Sequence, residues 1–170
     1  MTTAFNYLLA AAVVLMACSI TMAASKRQAD HWVYYHFDGK SFAAGPAVAG
    51  SAFLALRNGI RPVVLTGTVK NEVVALPKGT GAVAGICYLQ SSGGKLAPGP
   101  AYIPYPRVPV RISSGDTIVA TTESDDQGYF TAVLDAGRYT ITAGPARTEV
   151  TVEKDNTVLV PLRAGKRMVD

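Results

Sequence analysis

Between Gly81 and Leu162 the chain alternates apolar and polar residues in short runs, and each run ends in turn-forming residues. No other feature constrains the fold as strongly. A period of two places every second side chain on one face of an extended strand, and frequent turns leave no room for helices. Strands are expected near Val83–Leu89, Val108–Ile112, Thr117–Glu123, Tyr129–Leu134, Arg138–Ala143, Thr148–Val152 and Thr157–Leu162. Ser113–Asp116, Asp125–Gly128, Asp135–Gly137, Gly144-Pro145 and Lys154–Asn156 supply the turns. One face collects Val108, Val110, Ile112, Phe130, Ala132, Leu134, Tyr139, Ile141 and Ala143. Val150, Val152, Val158, Val160 and Leu162 continue it. Short strands sharing such a face predict an all-β fold, a seven-stranded antiparallel sandwich over 81–163. Each large side chain buried there contributes about 1.5–3 kcal/mol. That leaves a thin margin over the ordering entropy, so the preceding strands are expected to dock on the sandwich.

Residues 25–80 read as a hairpin-rich β segment. Phe53–Arg57 and Ile60–Leu65 flank Asn58-Gly59, a pair suited to a type I′ turn because both central residues tolerate positive φ. Pro62 has no N–H for a ladder, so its strand is an edge or begins beyond it. Val63–Val69 and Glu72–Leu76 around Lys70-Asn71 suggest a second hairpin, followed by a linker at Pro77–Gly81. Upstream, Asp30–Phe42 is rich in aromatic residues. Alternation puts Trp32 and Tyr34 on one face and Tyr35 and Phe37 on the other, as suits a strand covered on both sides or one at an interface. Gly39 falls in a turn.

The first charged side chain is Lys26, and the apolar run Leu8–Ala17 precedes it. That run is short for a membrane span and suits the core of a secretory signal. Small residues at Thr21–Ser25 give a cleavage site after Ala23 or Ala24, so 1–24 is read as a signal peptide, although no Lys or Arg precedes the apolar run. Leu15-Met16-Ala17-Cys18 offers the alternative of a lipoprotein signal with Cys18 lipidated. Ordinary cleavage is preferred because a serviceable small-residue site follows. Either route leaves Cys87 as the sole thiol, in a run that reads as a buried strand.

Ser91–Arg107 is rich in Pro and Gly, with Tyr102 and Tyr105 interleaved, and favours extended conformations that resist a ladder. It serves either as a recognition loop or as a crossover packed by its own tyrosines. Residues 164–170 form a basic tail with Lys166 and Arg167, read as a frayed solvated end.

The stretch Thr122–Phe130, containing Asp125-Asp126-Gln127-Gly128, is followed by Leu134-Asp135-Ala136-Gly137-Arg138-Tyr139. Together these resemble the signature of the carboxypeptidase regulatory-like domain, whose fold is a prealbumin-like (transthyretin-like) seven-strand sandwich. The resemblance covers Gly81–Leu162, departs slightly at Glu123-Ser124-Asp125, and speaks to fold rather than function. In its terms Asp126, Gly128, Phe130, Gly137 and Tyr139 are structural: carboxylates cap a turn, Gly128 supplies positive φ, Phe130 points inward and Tyr139 closes a corner. Calcium binding by Asp125 and Asp126 is the competing reading, but the spaced ligand series of a calcium loop is missing.

Other chemistry finds little footing. The net charge of +4 comes from scattered Lys and Arg without a basic stripe, which argues against nucleic-acid binding. His31 and His36 lie five apart and face opposite sides of a strand, a poor grip on a metal. The peptidase of the family's name would need a zinc ligand set that is absent. Transthyretin-related hydrolases end in a Tyr-Arg-Gly-Ser type motif, and this chain ends in Arg167-Met168-Val169-Asp170. The expectation is therefore a non-catalytic, cofactor-free, exported protein of the periplasm, outer membrane or cell exterior. It would act through protein partners in a surface assembly or as a homo-oligomer, touching a membrane only through a lipid anchor. Trp32, Tyr34, Tyr35, Tyr102 and Tyr105 are the expected partner-binding residues. A carbohydrate or small-molecule binding module is the second reading, and a transthyretin-related hydrolase the third.

Overall fold

The computed structural model describes residues 31–46, 50–66, 73–92 and 102–168. Trp32–Asp170 group as one compact unit. No helix occurs among the described residues. The strands are β1 (Val33–Phe37), β2 (Phe42–Ala44), β3 (Ala52–Leu56), β4 (Val63–Thr66), β5 (Thr80–Ser92) and β6 (Tyr102–Pro104). They continue as β7 (Pro109–Ser114), β8 (Thr117–Glu123), β9 (Tyr129–Asp135), β10 (Gly137–Ala143), β11 (Ala146–Val152) and β12 (Thr157–Met168). The first sheet has the order β2-β1-β3-β4, and the last β11-β10-β7-β8. The middle sheet is built on β5, with β12 on one side and β9 and then β6 on the other.

The core between the middle and last sheets collects Val83, Cys87, Val110, Ile112, Phe130, Ile141, Val152, Val160 and Leu162. Every residue assigned to the inward face by alternation is in this cluster or packs against it. A second core lies on the opposite face of the middle sheet, where Phe37 and Leu54 meet Ala84, Ile86, Tyr88 and Tyr129. β5 is thus covered on both faces, and Gly81 through Tyr88 are all buried. A strand sandwiched this way must be apolar throughout rather than alternating, as Ala82-Val83-Ala84-Gly85-Ile86-Cys87 is.

Several expectations need correction. The sandwich is not purely antiparallel, because β12 runs parallel to β5 from Thr157↔Ala82 to Met168↔Ser92. Nor is the basic tail frayed. β5 extends far enough to template it, and Lys166 lies opposite Gln90 after a register step between Arg163 and Gly165. The Arg163 guanidinium also donates to Gln90 Oε1 at 2.9 Å. Part of the Pro/Tyr loop joins the ladder as β6, with Tyr102 opposite Gln90 and Pro104 at the strand's end opposite Tyr88, a place where a missing N–H is tolerated.

β3 and β4 pair as expected, starting at Ala55↔Val63 just beyond Pro62, but the connection is not type I′. The Ile60 N–H donates to Arg57 O at 3.1 Å. Gly59 has φ +71° while Asn58 stays out of the left-handed region. A tertiary bond holds this geometry, since the Gly59 N–H donates to Asp155 O at 2.8 Å. Of the second hairpin, Lys70-Asn71 lies outside the described residues. Ala75 bridges Ile60, and the Arg61 N–H reaches Val74 O. Pro77–Gly81 is a closed turn rather than a loose linker. The Thr80 hydroxyl donates to Pro77 O at 2.7 Å, and β5 has already begun. Residues 1–30, including Cys18, are also outside the described set.

Candidate functional site

The signature turn joins β8 to β9. Asp125 performs the capping: its Oδ1 accepts the N–H groups of Gln127 at 2.9 Å and Tyr129 at 2.8 Å. Asp126 points elsewhere, accepting both Nε and Nη2 of Arg107 on one oxygen at 3.0 and 2.8 Å. Gly128 sits at φ +79°, and a β-carbon there would lie 2.5 Å from Cys87 O. No side chain fits that position. Ser124 is the buried polar residue of the knot. Its hydroxyl accepts from the Val108 N–H at 3.0 Å and donates to Tyr105 O at 2.9 Å. Ser124→Ala strands both backbone groups, so a loss of about 1–3 kcal/mol is expected in denaturant unfolding.

The next corner is closed by Tyr139, whose hydroxyl donates to Asp135 O at 3.0 Å. Gly137 needs no left-handed backbone there. Its role is spatial, because the Tyr139 ring passes over it and a β-carbon would meet that ring at about 3.5 Å. Phe130 is buried in the sandwich core, opposite Gly85.

Cys87 is fully buried in the same core. Burial pushes its thiol up to about 12, with a hydrogen bond to Ser124 acting weakly the other way. The folded state therefore favours the protonated thiol. Stability from this group is present below the unfolded thiol's value of about 8.5 and is lost as pH rises toward about 12. Disulfide-exchange reagents at pH 8 should label Cys87 only in denaturant, and rapid labelling of the native protein would contradict its placement.

His31 is exposed, whereas His36 Nε2 lies 2.7 Å from Pro46 O and its ring lies 5.1 Å from that of Phe53. Among the described residues no group of three or more His, Cys, Asp or Glu is placed to hold a metal ion.

The expected partner-binding aromatics also separate. Tyr35 and Tyr102 pack in the core between the first and middle sheets. Tyr102 lies 4.8 Å from Phe37 and 6.2 Å from Tyr88, centroid to centroid. Tyr129 seals the same layer by donating its hydroxyl to Ala52 O at 3.1 Å. Burial raises both the Tyr102 and Tyr129 phenols above their usual range. Trp32 and Tyr34 lie on the other face of the first sheet with Phe53, Ala55 and Leu65. Tyr105 is exposed, with its backbone N–H held by Cys87 O.

One surface feature escaped the sequence reading. A shallow groove of about 450 Å³ crosses the outer face of β10 and β11, lined by Asp116, Arg138, Thr140, Arg147, Glu149 and Thr151. Period-two alternation places these β10 and β11 side chains opposite the inward row, which is the signal that could have found it.

No family model matches the sequence, and no curated protein matches it. Among solved structures, the chain is similar to the crystal structure of GBS52, the minor pilin of the Gram-positive pathogen Streptococcus agalactiae. That similarity is at 16% identity and a TM-score of 0.39, covering 76% of this chain and 66% of that one.

Proposed function

We propose that this chain is an exported, non-catalytic β protein of the cell envelope or extracellular surface that acts through protein partners as an accessory or structural subunit of an assembly. The carrying observation is how its reactive side chains are employed. Asp125 caps a turn, Asp126 pairs with Arg107, Cys87 fills the core and His36 meets a backbone carbonyl. Each stabilises the scaffold and is thereby occupied. The stacked sheets remain, with surfaces for contact.

Gly81–Leu162 is read as a prealbumin-like sandwich of the carboxypeptidase regulatory-like type. Support comes from the roles of Gly128, Phe130 and Tyr139, which are those the resemblance implies, while the turn is capped by Asp125 rather than by Asp126. Export is supported by Leu8–Ala17 and the small residues after it. Intact mass of the mature protein tests this, with a start at Ala24 or Ser25 expected and a lipid-modified Cys18 as the alternative. Light scattering of the ligand-free protein over a range of concentrations tests the assembly role, and mass is expected to grow with concentration. The groove beside Arg138 and Arg147 favours a second reading, a glycan-binding module. A strictly monomeric protein with saturable glycan binding would select that reading.

A further inference from the structure

In two places the sequence sets a side-chain amide or carboxyl immediately before glycine, at Asp38-Gly39 and at Asn58-Gly59. A backbone nitrogen attacks the preceding side-chain carbonyl most easily in such a pair, because glycine has no β-carbon in the way and bends freely. The structure treats the two pairs differently. Asp38 Oδ1 accepts the N–H groups of Ser41 and Lys40, each at 2.7 Å. These bonds hold its carboxyl below the usual range, and an ionised carboxylate resists nucleophilic attack. Asn58 is exposed, and no hydrogen bond among the described residues holds its carboxamide. Its electrophilic carbon is neutral and open to water.

The nucleophile is restrained instead. The Gly59 N–H donates to Asp155 O at 2.8 Å, and Gly59 O accepts the Leu76 N–H at 2.8 Å. Asp155 offers its carbonyl from a left-handed backbone, φ +59°, and its own N–H donates to Thr80 O at 2.9 Å. Gly59 is thereby tied to the β11–β12 turn, which is itself tied to the start of β5. While these bonds stand, the Gly59 nitrogen can neither give up its proton nor swing toward Asn58.

We infer that Asn58 is a site of spontaneous deamidation, gated by the hydrogen bonds that clamp Gly59. When the clamp opens, hydroxide takes the Gly59 amide proton and the nitrogen bonds to Asn58 Cγ. The bond from Cγ to the side-chain nitrogen breaks. Ammonia leaves with a proton from water, which regenerates the hydroxide. Water then opens the five-membered imide at either carbonyl, and nothing is oxidised or reduced. One product is an aspartyl residue at position 58. The other routes the main chain through Cβ and Cγ and lengthens it by one methylene. Both add a negative charge, and the longer chain displaces the Gly59 N–H from Asp155 O. The step is one-way, so it records how often the turn has opened, a local event distinct from global unfolding. It does not depend on the assembly reading.

The test incubates the full mature protein at pH 8, native and in denaturant, and reads position 58 by peptide mass. A gain of about 1 Da is expected there, about tenfold faster in denaturant, because the native rate is scaled down by the population of the open turn. Asn58→Gln should remove the gain. Asp155→Gly keeps the left-handed backbone and should leave the native rate near the parent's. Asp155→Val, which resists positive φ, should raise the native rate about threefold or more. Both variants lose the same carboxylate, so the comparison isolates the carbonyl. Hydrogen exchange at Gly59 supplies a measure that needs no variant: in low urea, deamidation of the parent should quicken in step with exchange of that amide. Equal rates in native and denatured protein, equal rates in the two folded Asp155 variants, or a rate indifferent to Gly59 exchange overturns the gate. No gain at position 58 in denaturant overturns the site.

Discussion

Gly85→Val should lower the melting temperature of the purified protein sharply. Gly85 sits mid-strand in β5, between β12 and β9, directly opposite Phe130. A β-carbon there would lie 2.6 Å from Phe130 Cζ and run into the carbonyl oxygen of Val160. One obstacle is backbone in a neighbouring strand, and the other is a ring locked in the core. The φ of Gly85 is ordinary, so the penalty is steric rather than conformational. Overpacking typically costs about 1–3 kcal/mol, and more where backbone must move. Against a total stability of about 5–15 kcal/mol, at least 3 kcal/mol is expected here by that reasoning. Thermal melting followed by near-ultraviolet circular dichroism measures it. Gly45→Ala is the control, because its β-carbon would meet only His36 Cδ2 at an ordinary 3.6 Å. A Gly85→Val protein that melts like the parent would refute the close approach of β5 to Phe130.

Leu54→Ala tests whether the first sheet and the sandwich are one folding unit. Leu54 is fully buried in the core between the first and middle sheets. Truncating such a leucine costs about 2–5 kcal/mol, because transfer energy and a cavity add. The chain has one tryptophan, Trp32, at the start of the first sheet. Its fluorescence reports that layer, while far-ultraviolet circular dichroism is dominated by the other strands. The expected result is a single transition, shifted to lower denaturant by the same amount in both signals. An early fluorescence transition with an unmoved dichroism midpoint would show instead that the first sheet unfolds independently.

The candidate surfaces were less legible than the core. Five aromatic residues were read as partner-binding, and sequence spacing does not say which layer covers which face. Tyr35 and Tyr102 join one core only because β1 lies over β5 and β6, and no local pattern encodes that packing. Ile118 and Val119, neighbours on β8 and both exposed, were hidden for another reason. Alternation assigns Ile118 and Val119 to opposite faces, and the register step with β7 cancels it.

By itself the sequence determined the sandwich strands, their turns and their inward face. All three are local: side chains alternate on extended backbone, and Gly, Asp and Asn accept turn geometry within a few residues. Only the tertiary structure decided the partners. The parallel alignment of β12 with β5, the ordering of Arg163–Met168, the turn at Gly59 and the sheet on the second face of β5 depend on residues far apart in the chain. Hydrophobic burial selects such contacts without direction, so only the packed whole shows which surfaces meet.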